Sequence, residues 1–143
     1  MKILFAGTIG RSGLGGQAWA SLQYLLGFRA LGHEVFYLED CGISSWVYNW
    51  EKEEWTTELD YPAAYVRDCL EPFGCRDNWI YRTNDGSIGA SLESFLEFCA
   101  VADLLLLRAV PLHFFPLLSR CFLSLFFTLQ FFEAASVFEL LVQ

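Results

Sequence analysis

Five glycines fall within ten residues, Gly7 to Gly16, in the stretch GTIGRSGLGGQAW. It follows the apolar run KILFA and precedes a segment whose apolar residues recur at helical spacing. Glycine has no Cβ, so a ligand can come close to its backbone. Where such a backbone opens a helix, unpaired N–H groups and the helix dipole together favour an anion. The chemistry suggested is contact with a phosphate or a sugar phosphate. The competing reading is a loop whose glycines only let the chain turn a corner at positive φ.

Two kinds of phosphate site can be compared with the stretch. GLGGQA, residues 13–18, formally matches the dinucleotide fingerprint through Gly13, Gly15 and Ala18, with Glu39 or Asp40 a little over twenty residues further on. Its first glycine, however, comes about seven residues after the apolar run, where that fingerprint needs it at once. No GK[ST] occurs anywhere, which excludes a P-loop nucleotidase. Arg108 closes a later apolar run, DLLLL, and is placed to pair with phosphate or to stand in solvent. Asp40 is a candidate ribose contact or a strand-end cap.

Aromatic and acidic residues concentrate between 46 and 58. Trp46, Trp50 and Trp55 are suited to stacking on sugar rings or to packing. Glu51, Glu53 and Glu54 form a solvated face, since a glycosidase dyad needs a fixed carboxylate separation. His33, in GHEV, is expected to close the end of a helix or bond locally. The five cysteines include no CxxC, and Cys69 and Cys75 have no nearby histidine. They read as buried thiols in a reducing cytosol, and neither a metal nor a cofactor is expected.

The elements that would position these residues alternate. KILFA is a buried strand, and about Gly15 to Leu31 forms a helix with Ala18, Leu22, Leu25 or Leu26, and Leu31 on one face. Gly32 stops it, and HEVFYLED is a second strand. Residues 43–60 read as an irregular excursion with room for a short helix. A helix then starts near Asp60, a candidate N-cap, with Pro62 in its first turn and a stop at Pro72–Gly74. NWIYR is a short strand and NDGS a turn. The next helix presents Leu92, Phe95, Leu96 and Cys99 as its apolar stripe, with Glu93 and Glu97 wet, before the buried strand DLLLL. The fold class expected is α/β, a Rossmann-like parallel sheet with flanking helices over residues 1–108.

The 143 residues are 55% hydrophobic with a net charge of −8, enough for one domain core and opposed to general nucleic-acid binding. Residues 109–143 break the pattern as a Phe-rich hydrophobic tail. Three readings stand for it: a membrane-associated segment, a buried hydrophobic tail, or a truncated or frame-shifted end. Pro111, Pro116 and Arg120 count against a membrane span. The expected location is cytoplasmic, with peripheral membrane contact through the tail as the alternative.

Taken together, the Gly15-Gly16 pair, the following L..L...L helix and Gly32-His33-Glu34-Val35 resemble the start of GT-B glycosyltransferases of the glycogen-synthase and sucrose-synthase type. About 40 residues carry the likeness. It implies half of a GT-B fold and a nucleotide-sugar-dependent glycosyl transfer to an unknown acceptor. Gly15, Gly16 and Gln17 would lie near the donor diphosphate, with Arg108 on the same rim. It also implies a functional histidine after a late strand, for which His113 is the candidate. Such enzymes hold most of the donor in a second domain, so the residues here are expected to be an incomplete cleft alone. The alternatives are an NAD(P)-binding oxidoreductase domain using Gly13, Gly15, Ala18 and Asp40, or a non-catalytic membrane-associated protein.

Overall fold

The computed structural model describes residues 1–42 and 46–108. The elements run β1 (Lys2–Ala6), α1 (Ile9–Ser12), α2 (Gly15–Ala30), β2 (Glu34–Asp40), β3 (Val47–Asn49), β4 (Glu54–Thr56), α3 (Asp60–Leu70), β5 (Trp79–Arg82), β6 (Ser87–Gly89), α4 (Leu92–Val101) and β7 (Leu104–Leu107). A single 3-10 turn, Glu71–Phe73, extends α3.

Five strands form one sheet in the order β6-β5-β2-β1-β7. β1 pairs in parallel with β2 on one side and with β7 on the other, and β2 pairs in parallel with β5. The sheet is mixed rather than wholly parallel, because β6 returns antiparallel to β5. The reason is local: the short NDGS connection forms a hairpin, and so short a link can join only antiparallel neighbours.

Each face of the sheet has its own apolar layer. α2 and α3 supply Ala18, Leu22, Leu25, Val66 and Leu70 against Ile3, Phe5, Val35 and Tyr37. α4 covers the opposite face with Phe95, Phe98 and Cys99, set against Leu4, Phe36, Leu38, Ile80 and Leu105. Phe36 touches both Phe95 and Phe98, at ring separations of 5.7 and 5.2 Å. Burying a side chain of this size contributes about 1.5–3 kcal/mol, so α4 is held chiefly by these two rings. The stripe on α4 is thus rotated from the expected one: Leu92 and Leu96 are exposed and Phe98 is buried instead. Phe98 instead packs with Phe95 on Phe36 of the sheet beneath.

Helix ends follow the residues closely. α2 stops in a left-handed turn at Gly32 (φ 83°), where Gly32 N–H donates to the Arg29 carbonyl and His33 N–H to that of Phe28. The paired bonds satisfy two orphan carbonyls, and the Phe28 and His33 rings lie 6.3 Å apart above them. Leu31 falls past the buried face and is exposed. Asp60 is not the cap of α3 but its first helical residue, with Leu59 before it and no side-chain cap bond. Its carboxylate still complements the helix dipole there. α4 is capped by Ser91, whose hydroxyl accepts from Ser94 N–H at 3.1 Å.

The excursion after β2 is ordered as a two-stranded antiparallel hairpin, β3–β4, rather than a short helix. Asn49 Oδ1 accepts from both Glu51 N–H and Lys52 N–H, folding the turn, and Glu53 takes a positive φ of 54°. Val47, Asn49 and Thr56 are buried. Trp50 N–H donates to Tyr61 Oη at 3.1 Å, tying the hairpin to α3.

Two glycine substitutions separate packing from propensity. A Cβ at Gly10 would lie 2.7 Å from the Pro62 carbonyl and 2.8 Å from Val66, whereas one at Gly27 would meet nothing within 4 Å. Gly10→Ala is therefore expected to lower stability by about 1–3 kcal/mol. Gly27→Ala, inside α2, should raise it by about 0.5–1 kcal/mol. Urea midpoints of the two variants check both signs.

Candidate functional site

The connections decide where a site can form. α2 and α3 cross on one face of the sheet and α4 on the other, so the direction of winding reverses between β1 and β7. In open α/β sheets the crevice beyond the strand carboxyl ends at that reversal is the usual ligand position. Here it lies between the chain leaving β1, which is the glycine stretch, and the residue that ends β7, which is Arg108.

Arg108 is fixed there by backbone and side chain. Its N–H donates to the Ala6 carbonyl at 2.9 Å, continuing the β1–β7 ladder by one residue. Its Nη1 reaches into the first turns of α2, 3.2 Å from Gln17 Oε1, 3.5 Å from the Gln17 carbonyl and 3.0 Å from Ser21 Oγ. None of these partners is a carboxylate, and Arg108 forms no ion pair among the described residues. The guanidinium charge is thus unneutralised at the opening of α2. Beside it, Gly15 and Gly16 begin that helix with no atom within 4 Å of either Cβ position. Four residues anticipated from the sequence, Gly15, Gly16, Gln17 and Arg108, are therefore brought to one place. Ser21, buried and bonded to Arg108, was not anticipated; its place among the apolar residues of α2 was the available signal. His113 lies outside the described residues, as does the whole segment 109–143.

The other glycines of the stretch do different work. Gly7 passes over the Tyr37 ring, where a Cβ would come within 2.9 Å, and Gly10 sits against α3. α1 occupies the interval between β1 and the formal fingerprint, which removes the immediate strand-to-glycine turn a dinucleotide site uses. Gly13 ends α1 in a left-handed conformation (φ 57°), and Trp50 lies 3.0 Å from where its Cβ would be. Close approach at Gly13 is thus taken by an indole. Asp40 is committed as well, with its Oδ1 accepting from Gly42 N–H and its Oδ2 3.6 Å from Arg82 Nη1.

Behind the stretch stands a residue the sequence suggested only as a fingerprint acid. Glu39 is fully buried, and its two oxygens accept from Gly10 N–H at 2.8 Å and Arg11 N–H at 2.6 Å. Tyr37 Oη donates to the same carboxylate at 2.8 Å while accepting from Ile9 N–H at 2.9 Å. The first three N–H groups of α1, which no intrahelical carbonyl can satisfy, are all taken up by these two side chains. Burial pushes the Glu39 carboxyl up to about 7, against the pull of the three hydrogen bonds and of Arg11. The same burial, with Glu39 nearby, raises Tyr37 well above its ordinary value, and burial raises Cys41 to about 11.

A cleft among the described residues lies elsewhere. It measures about 710 Å³ and opens between α3, the β5–β6 edge and the start of α4. Arg67, Arg76, Glu71 and Asp77 line it with alternating sign, so it presents no concentrated field for an anion. The reversal point offers an uncompensated cation and an open helix start, which is the better phosphate chemistry.

With this geometry the chain is an α/β protein of one mixed five-stranded sheet flanked by helices. Comparison with protein families, with curated proteins and with solved structures finds no match to it. Among the described residues no helix is long and apolar enough to cross a membrane.

The Glu39 linkage has a definite sign. Its folded value of about 7 lies above the ordinary 4.5, so the unfolded chain ionises first as pH rises. Stability is greatest below pH 4.5 with respect to this group, falls between 4.5 and 7, and is flat above. The loss should be on the order of 3 kcal/mol. Urea titrations across that window check it, and Glu39→Gln, neutral at every pH, should remove the slope.

Proposed function

We propose that this chain supplies the acceptor-side half of a nucleotide-sugar-dependent glycosyl-transfer cleft. The observation that carries the reading is Arg108, uncompensated, held at Gln17 and Ser21 beside the open start of α2 at Gly15 and Gly16. The parallel strand order β5-β2-β1-β7 is that of a Rossmann-like half-sheet, which agrees with the GT-B resemblance of the sequence. A diphosphate at this point would take N–H donors from the first turn of α2 and charge from Arg108. Those donors are preorganised, so they stabilise negative charge as it develops on the departing phosphate. Gln17 would then exchange its bond to Arg108 for a hydroxyl or phosphate oxygen of the donor. In the enzymes resembled, a second domain holds most of the donor, and these residues account for one wall.

Calorimetric titration of the full chain with UDP-glucose and, separately, with NADH tests the reading. UDP-glucose is expected to bind and NADH not to. Arg108→Ala should weaken UDP-glucose binding about tenfold, equivalent to about 1.4 kcal/mol. Gly15→Val should weaken it too, with little change in thermal midpoint, because that Cβ position is open. Binding of NADH alone would replace the reading with a dinucleotide site.

A further inference from the structure

The cleft between α3, the β5–β6 edge and the start of α4 stands apart from the glycine stretch, at the opposite edge of the sheet from Arg108. Its volume, about 710 Å³, is within the range of small-molecule sites. The wall is apolar at Ala63, Trp79 and Ile88, and charged along α3 and the segment that follows it. Ala63 and Trp79 belong to the close-packed core under α2 and α3, so this part of the wall is firmly held.

Two features of the wall are left unsatisfied by the protein itself. The first is an indole. Trp79 is 3% exposed, and its Nε1–H meets no acceptor among the described residues. The benzo edge of the ring is fixed against Gly89, where Cε3 and Cζ3 lie 2.9 and 3.0 Å from the Cβ position, so the N–H is on the edge turned away from β6. A buried tryptophan ordinarily has a partner for this group, because leaving it unpaired carries the full cost of its desolvation. The second is charge of both signs. Glu71, Arg76 and Asp77 line the cleft and fall within seven residues of one another. None of the three makes an ion pair or a side-chain hydrogen bond among the described residues. Arg67 is engaged only with Asp68, at 3.1 Å, in an exposed pair that contributes little.

A ligand of one sign meets repulsion here as well as attraction. A neutral apolar ligand leaves both charges and the indole without partners. We propose that the cleft binds a small zwitterion with an apolar body, the chemistry shared by an apolar α-amino acid and a dipeptide containing one. Its carboxylate pairs with Arg76 and its ammonium with Glu71 and Asp77, while its apolar side chain lies on Ala63 and Ile88. A carboxylate or peptide carbonyl oxygen accepts from Trp79 Nε1. The site shares no residue with the reversal point and is independent of the transfer reading.

The test uses the full chain labelled with ¹⁵N, following the indole N–H signals during titration with leucine and, in a second sample, leucyl-alanine. The Trp79 signal is expected to move as its N–H gains an acceptor, and that of the exposed Trp19 to stay still. N-acetyl-leucine, which lacks the ammonium, and leucinamide, which lacks the carboxylate, should each bind about tenfold more weakly than leucine. Arg76→Ala and Glu71→Gln should each lower affinity about fivefold, with thermal midpoints unchanged because neither side chain has a partner to lose. Tighter binding of leucyl-alanine supports the site as one for peptides, and tighter binding of leucine as one for free amino acids. A Trp79 signal that moves with neither, or analogues that bind as tightly as leucine, would overturn the proposal. Inorganic phosphate moving the signal in their place would make the cleft an anion site and overturn it too. UDP-glucose is expected to leave Trp79 still, so the failure of one site is read separately from that of the other.

Discussion

A carboxylate with almost no access to water holds the chain where it leaves the first strand. Glu39 and Tyr37, two residues apart on one face of β2, take all three leading N–H groups of α1. That fixes the path of residues 7–13, and the rest of the carboxyl rim is assembled against it. Gly10 is pressed onto α3, Gly13 onto Trp50, and α2 starts only after both contacts are made. Removing a charge this buried from water is costly, and the hydrogen bonds only partly offset it, as the upward displacement of Glu39 records. The fold tolerates the cost because the alternative leaves N–H groups of α1 buried with no acceptor.

The glycine stretch consequently serves two ends at once. Its first part is architecture: close contacts to Tyr37, Pro62, Val66 and Trp50 leave no room for side chains at Gly7, Gly10 and Gly13. Its last part, Gly15-Gly16, has no atom within 4 Å of either Cβ position and opens α2 two residues before Gln17, which Arg108 bonds. An uncompensated Arg108 arrives at the same place from the far end of the chain, through β7 pairing with β1. The separation of these two roles within ten residues is what makes the helix start available to a ligand. A loop glycine already filled by a neighbour cannot also admit a phosphate.

Much of this was legible in the residue pattern, because the signals were local. Apolar runs bounded by glycine or acid marked β1, β2 and β7, and Gly32 marked the end of α2, where a left-handed residue was required. The α4 stripe was misplaced by spacing alone, since Leu92, Phe95, Leu96 and Phe98 are all apolar and only the face α4 turns to the sheet, with Phe95 and Phe98 against Phe36, separates them. The hairpin at 47–56 was hidden for a related reason. Its strands are three residues long, too short for alternation to register, and its turn is built by an Asn49 side chain rather than by glycine.

By itself the sequence determined the alternation of strands and helices, the glycine-opened α2 and the acid at the end of β2, because each depends on neighbours a few residues apart. Only the tertiary structure decided which glycines are filled and which are open, and that Arg108 meets Gln17 across ninety-one positions. It also decided that Glu39 serves α1 rather than a ribose and that Trp50 closes over Gly13. Those outcomes follow from strand order and from the face each helix takes. Side chains far apart in sequence meet only after the sheet has placed them.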